Sequence, residues 1–321
     1  MRPLVRGAAL AALLTGTAAA HAFSLDVCAR PREPSADERD VLLRFGALVR
    51  EQVVASGQDI VLVARSGLDL HKIDVRYSHE GVALKDNDGK PWSVRQLYYS
   101  CEERRPRVYD EGLTGFLTGT DDPAIGFVSL VFLPPAQAAS LRSTAVDKHH
   151  ALGVLGASYS ANAYPFSTLH QNCNQWVIEL LADAWRRPGR EAPDTPDAPD
   201  AADAPDTRTD ADARAGAQSW LRAQGYLPTV FTASAHPMTW LPAFVPWLSN
   251  DDHPPEELAH NRYNVSMPAS IETFVQAKVP GATRVEICHA GRRVVLHRGW
   301  DDIAEGCVPG ASDQVIELAS D

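Results

Sequence analysis

No stretch beyond the N-terminus is apolar for long enough to cross a bilayer. The apolar run near the start, Ala8 to Leu14, is too short and gives way to Thr15, Gly16 and Thr17. A basic surplus is missing as well. With 30 Lys and Arg against 41 Asp and Glu the net charge is −11, and no basic stretch is interleaved with aromatics, so a nucleic-acid partner is not expected. There is no Cys-x-x-Cys, and His289 and His297 lack a His-x-x-x-His partner. His149 and His150 are adjacent on an expected helix and so point about 100° apart. Neither a metal site nor a cofactor is expected.

The first 22 residues supply a compartment instead. Arg2 and Arg6, the Ala/Leu run and the small residues ending Ala20-His21-Ala22 form the basic, apolar and A-x-A parts of a secretory signal, with cleavage expected after Ala22. No lipobox precedes Cys28, so the mature chain is expected to be periplasmic or secreted, without a transmembrane segment. Cysteine is sparse and odd in number at five. In an oxidising compartment an odd cysteine is intermolecular or a free reactive thiol. Five choices of the odd residue and three pairings of the rest leave many arrangements. Proximity favours Cys288–Cys307 and leaves Cys28–Cys101, with Cys173 unpaired.

Most of the acidity is local. Residues 188–213 carry eight acids against Arg190 and Arg208 in an Ala/Pro/Asp repeat that lacks aromatics, Leu, Ile and Val. Such a segment cannot bury a core and is expected to be a solvated, disordered insert. It divides a core, residues 23–187, from a C-terminal part, residues 214–321.

Apolar periodicity predicts a helix over Ala36–Ser56, with Ser35 or Asp37 near its start, and a buried strand at Ile60–Arg65. Asp74–Leu84 and Trp92–Tyr98 flank an Asp-Gly turn signal and are expected to form a hairpin. Ile125–Leu133 is strand-like and Ala136–Leu152 helical. After the insert, Ala217–Gly225 and Ile271–Val279 read as helices. Arg284–His289, Arg293–His297 and Gln314–Leu318 read as strands of a small β-rich piece, either a subdomain or an edge extension. Pro237–Trp247, rich in Pro, Trp and Phe, reads as core. The class is α+β.

The chemistry centres on Cys173. From Asn174 the apolar residues Val177, Ile178, Leu181 and Trp185 form one helical stripe, and Asn172 or Asn174 can cap its start. A cysteine there meets the positive end of the helix dipole and free N–H groups, which favour thiolate and can hold an oxyanion. The plainer reading is a buried structural cysteine. His170, Asn172 and Gln171 are oxyanion or cap candidates, with capping preferred for the first two. A thiol needs a base, and His79 stands in a strand within Tyr77-Ser78-His79-Glu80-Gly81-Val82. A turn centred on Asn87-Asp88 sets His79 opposite Gln96, and one centred on Asp88-Gly89 sets it opposite Tyr98; Gln96 is the preferred orienting partner. A strand histidine satisfied by backbone is the alternative.

His79-Glu80-Gly81 on a strand, followed much later by Asn172-Cys173-Asn174-Gln175-Trp176-Val177, resembles the circularly permuted branch of the NlpC-type papain-like superfamily. In that branch, which includes lecithin-retinol-acyltransferase-like proteins, the His strand precedes the Asn-Cys helix. Tyr99-Ser100-Cys101, Glu111-Gly112-Leu113 and His170 to Val177 also resemble recurring pieces of an uncharacterised family of exported bacterial proteins. The resemblance covers about Ile60 to Trp185. It implies a permuted papain-like core, an antiparallel sheet packed on the Cys-bearing helix, with Cys173 as nucleophile, His79 as base and Gln96 as orienting residue. Gln96 departs from the more usual His, Asn or acid and brings no charge. The function expected is an exported thiol hydrolase or acyl transferase acting on amide, peptide or ester bonds in the cell envelope, with peptidoglycan peptides as the implied substrate class. The alternative is a disulfide-stapled envelope binding or scaffolding protein with a vestigial site.

Overall fold

The computed structural model describes residue 28 and residues 33–68, 70, 73–87, 90–186, 210–232 and 247–319. The expected signal segment, most of the acidic insert and nearly all of Pro237–Trp247 lie outside the described residues. Residues 1–30 and 31–321 are separate units, and of the first only Cys28, exposed and disulfide-bonded, is described.

The second unit is built on one eight-stranded sheet in the order β10-β9-β8-β5-β1-β2-β3-β4. These strands are β1 (Ile60–Arg65), β2 (His79–Asn87), β3 (Lys90–Ser100), β4 (Arg105–Gly112), β5 (Ile125–Phe132), β8 (Thr283–Ala290), β9 (Arg293–Arg298) and β10 (Gln314–Glu317). Every pairing in it is antiparallel. β6 (Thr229–Thr232) and β7 (Arg262–Val265) form a separate two-stranded ribbon. The class is α+β, as the element pattern predicts.

β1 explains why the sheet is covered on both sides. It is apolar at each of its first five positions, and alternation must then send apolar groups to both faces. Val61 and Val63 pack with Phe45, Val49 and Val53 of α1 (Ala36–Ala55) and with Leu113 and Phe116 of α2 (Leu113–Thr118). Ile60 and Leu62 pack on the opposite face. There they meet Leu141 of α3 (Pro135–Val146), Trp176, Val177 and Leu180 of α5 (Cys173–Trp185), Leu221 of α6 (Asp210–Ala223) and Ile271 of α7 (Pro268–Lys278). α1 starts on a Ser35–Glu38 capping box. The single helix expected over Ala136–Leu152 is two, because Asp147 leaves helical geometry and caps α4 (Lys148–Gly153) with its side chain.

Three other expectations are decided by the fold. α6 begins at Asp210, inside the stretch expected to be disordered. Of the two readings of the C-terminal strands, the edge extension is the one the sheet shows: β8 pairs along β5 from Phe132↔Thr283 to Ile125↔Ala290, so they continue the one sheet. The hairpin register is the Asp88-Gly89 one, with Val82↔Arg95 and Leu84↔Ser93. β4 and α2 went unassigned because β4 is largely polar and exposed and α2 is barely more than a turn.

Cys288 and Cys307 are bridged, Cys28 and Cys101 are both disulfide-bonded, and Cys173 is the free cysteine.

Candidate functional site

α5 places the thiol. Asn172 has extended backbone geometry and its Oδ1 accepts from the Gln175 N–H at 2.6 Å, so Cys173 is the first helical residue. The Asn172 amide also donates to the Ala161 and Ser266 carbonyls, both at 3.3 Å, which fixes the cap from two sides. Burial pushes the Cys173 thiol up to about 11, against the pull of the Asn174 and Cys173 N–H groups, the Arg65 charge and the Tyr159 hydroxyl, all of which favour thiolate. The resting group is therefore a thiol with its stabilising donors already in place. Tyr159 is held by packing of its ring on Tyr99, centroids 5.2 Å apart.

The other two oxyanion candidates are committed elsewhere. His170 uses Nδ1 on Ser158 Oγ (2.9 Å) and Nε2 on Asp251 Oδ1 (2.7 Å), tying the loop before α5 to the 247–253 segment. Gln171 is wholly buried; it donates to Val154 O (2.8 Å) and Glu179 Oε2 (2.6 Å) and accepts from Gly156 N–H (2.7 Å). Neither has a donor left for a substrate oxygen. Of the three, Asn172 acts as the cap.

β2 and β3 place the imidazole. His79 Nε2 lies 2.7 Å from Gln96 Oε1. By the observed register its directly opposed residue is Tyr98, whose ring packs on it at 4.6 Å. The expected choice between Gln96 and Tyr98 thus divides: the diagonal neighbour takes the hydrogen bond and the opposed one the ring contact. Gly81 makes this possible, since a Cβ there would meet Val94 Cγ1 at 2.5 Å and Gln96 Cβ at 3.3 Å. Gln96 Nε2 in turn donates to Glu111 Oε2 at 2.8 Å. Burial first, and the Arg65 charge second, bring the ring down to about 3, so His79 is neutral at ordinary pH.

Alternation along β2 sets His79 on the side of Gly81 and Ala83, where its ring meets Phe116 of α2 at 5.7 Å. Cys173 begins the helix that packs on the other face. The two come to the same end of the sheet, where Asn174 Nδ2 donates to the carbonyl of Ser78 at 3.3 Å. Among the described residues no hydrogen bond joins the Cys173 thiol to the His79 ring.

Arg65, Tyr159 and Glu111 are members that sequence reasoning missed. Arg65 is only 4% exposed, yet among the described residues no carboxylate pairs with it. Its guanidinium donates to Tyr98 OH (2.8 Å) and to the Gly119 carbonyl, lies over the Phe116 ring, and leaves Nε without a partner. Gly67 and Gly119 leave room for it: a Cβ on either would come within 2.7 Å of its terminal nitrogens. The signal in the sequence was an arginine ending an otherwise apolar strand.

Fold and site define an α+β protein with a single free thiol at a capped helix start and, at the same end of the sheet but on its other face, a strand histidine held by a glutamine. Residues 52–275 match the family described as "Uncharacterized protein conserved in bacteria (DUF2145)", and the chain belongs to that bacterial family. The matched stretch contains Arg65, His79, Gln96, Glu111 and Cys173. No curated protein matches the chain. No solved structure matches it either.

Proposed function

We propose that this chain is a cysteine-dependent hydrolase or acyl transferase of the cell envelope, acting on amide, peptide or ester bonds. One observation carries the reading. Cys173 is the free cysteine of a disulfide-bonded chain, and it is the first residue of a helix capped by Asn172, where the Cys173 and Asn174 N–H groups favour thiolate against the opposing effect of burial.

In this scheme His79 Nδ1 takes the thiol proton as sulfur attacks the substrate carbonyl. The N–H groups of Cys173 and Asn174 hold the resulting oxyanion. His79 returns the proton to the leaving amine or alcohol, and the thioester is cleared by water or by an acceptor nucleophile. Thiol and ring are both neutral at rest, and the scheme requires them to meet around the end of the sheet, where Asn174 reaches the Ser78 carbonyl, when substrate binds. Export, through the segment ending at Ala22, makes envelope peptides the substrate class, with peptidoglycan peptides the first to try. A circularly permuted papain-like core of the NlpC type accounts for a His strand ahead of the Asn-Cys helix.

Iodoacetamide alkylation of the folded protein between about pH 5 and 8 tests the scheme. Labelling at Cys173 below the free-thiol value of about 8.5, slowed by His79→Ala, supports it. Labelling that needs denaturant sinks it. That second outcome is favoured by one observation, the burial of both groups without a bond between them, and would leave a disulfide-stapled binding or scaffolding protein whose site is vestigial.

A further inference from the structure

We propose that Glu111 is a positioning residue that decides which nitrogen of the His79 ring carries the proton, acting through the Gln96 amide. The catalytic consequence rests on the thiol-enzyme reading above; the tautomer does not.

The inference follows from which groups can donate. A glutamine amide has one accepting end and one donating end, and Gln96, wholly buried, can be turned either way between its two neighbours. An ionised carboxylate only accepts. With Glu111 Oε2 at 2.8 Å, the amide nitrogen must face Glu111, and the amide oxygen then faces His79 Nε2 at 2.7 Å. That oxygen cannot donate, so Nε2 has to carry the hydrogen. Nδ1 is left as the bare, basic nitrogen, and among the described residues nothing hydrogen-bonds to it. With the amide reversed, the proton would sit on Nδ1 and the ring would have no lone pair to offer a thiol. The chain Glu111–Gln96–His79 therefore does with an amide and a distant charge what a directly bound acid does elsewhere.

Two small residues make the arrangement fit. Gly81 lets Gln96 lie against β2. Gly115, in the first turn of α2, lets the Glu111 carboxylate lie against the helix, since a Cβ there would come within 2.9 Å of Oε1. Tyr98 does not compete for the ring nitrogens, because its hydroxyl accepts from Arg65 and its ring lies against the imidazole.

The test uses the full chain labelled with nitrogen-15 and reads the two ring-nitrogen shifts of His79, assigned by their loss in His79→Gln. The wild type is expected to show a single tautomer with the hydrogen on Nε2. In Glu111→Gln, where the new amide can donate or accept, at least a tenth of the ring population is expected to move the hydrogen to Nδ1. Unchanged ring shifts in a folded Glu111→Gln protein overturn the proposal. Should that variant not fold, Gly115→Ala, which crowds the same carboxylate, is expected to give the same mixture, and an unchanged ring there overturns it equally. Alkylation of Cys173 is measured alongside. If the tautomer moves while labelling ignores both His79→Ala and Glu111→Gln, the positioning role stands and the enzyme reading falls. If the tautomer does not move, the positioning role falls whatever the labelling.

Discussion

Two buried ionic groups, one on α5 and one at the end of β1, are treated in opposite ways. Glu179, two turns into the helix and 0% exposed, is surrounded by donors: Arg214 Nε at 2.8 Å, Gln171 at 2.6 Å, Gln175 at 3.0 Å and Gln218 at 2.7 Å. Arg65, nearly as deep, is offset only by a hydroxyl, carbonyls and an aromatic face. A buried charge is tolerable when paired and costly when not. The Glu179 cluster is thus read as fastening, holding α6 and the loop before Cys173 to the helix. The Arg65 charge is left unneutralised; burial chiefly keeps the ring neutral and the thiol protonated, and Arg65 adds to the first effect and opposes the second.

The largest expected effect breaks the first half of that contrast. Arg214→Met strands Glu179 without its counter-ion and should cost about 3–5 kcal/mol of unfolding free energy in urea titration; a loss under about 1 kcal/mol would show that the glutamines alone suffice.

Acid should act on the second half. The folded ring takes up a proton only near pH 3, whereas the unfolded one does so near 6.5. Stability should therefore fall as pH drops below about 6.5 and keep falling to about 3, by roughly 1.4 kcal/mol per pH unit once well inside that window. His79→Gln should flatten this limb of the stability–pH curve. A parallel curve would assign the acid sensitivity to other groups.

Asn172→Ala removes the helix cap and is expected to cost about 1 kcal/mol and to raise the pH needed for alkylation of Cys173. The smallest effect is the sharpest. Arg65→Met strands no carboxylate and should leave unfolding free energy within about 1 kcal/mol of wild type, while the His79 window narrows. A loss as large as that of Arg214→Met would erase the contrast between the two sites.

Much of this was legible in the residues. The free thiol followed from cysteine arithmetic, the helix start from Asn172 and the stripe behind it, and the partner strand from an Asp-Gly turn. Gln96 was reached through the other register, and it still binds His79 because positions two apart on β3 share a face. What stayed hidden was contact between elements distant in the chain. The arginine that ends an apolar strand marks Arg65 without showing its partners, nothing local distinguishes Glu111 from its solvated neighbours on β4, and only folding sets Tyr159 against the sulfur. His170 is spent on Asp251, 81 residues away, and Gln171 on Glu179, within α5, and neither pairing shows in the local pattern. The C-terminal strands alternate like any hairpin, and no pattern in them says which edge they join.

Where those strands join has a consequence of its own. β8 lies between β5 and β9, so residues beyond Val279 close off the flank of a strand that passes through the centre of the molecule. A chain cut at Lys278 would keep every residue of the proposed site, yet it would bare a seam of unpaired amides and carbonyls along Phe127–Phe132. Such a seam recruits other copies of itself, so a trimmed version should clump before it could be assayed.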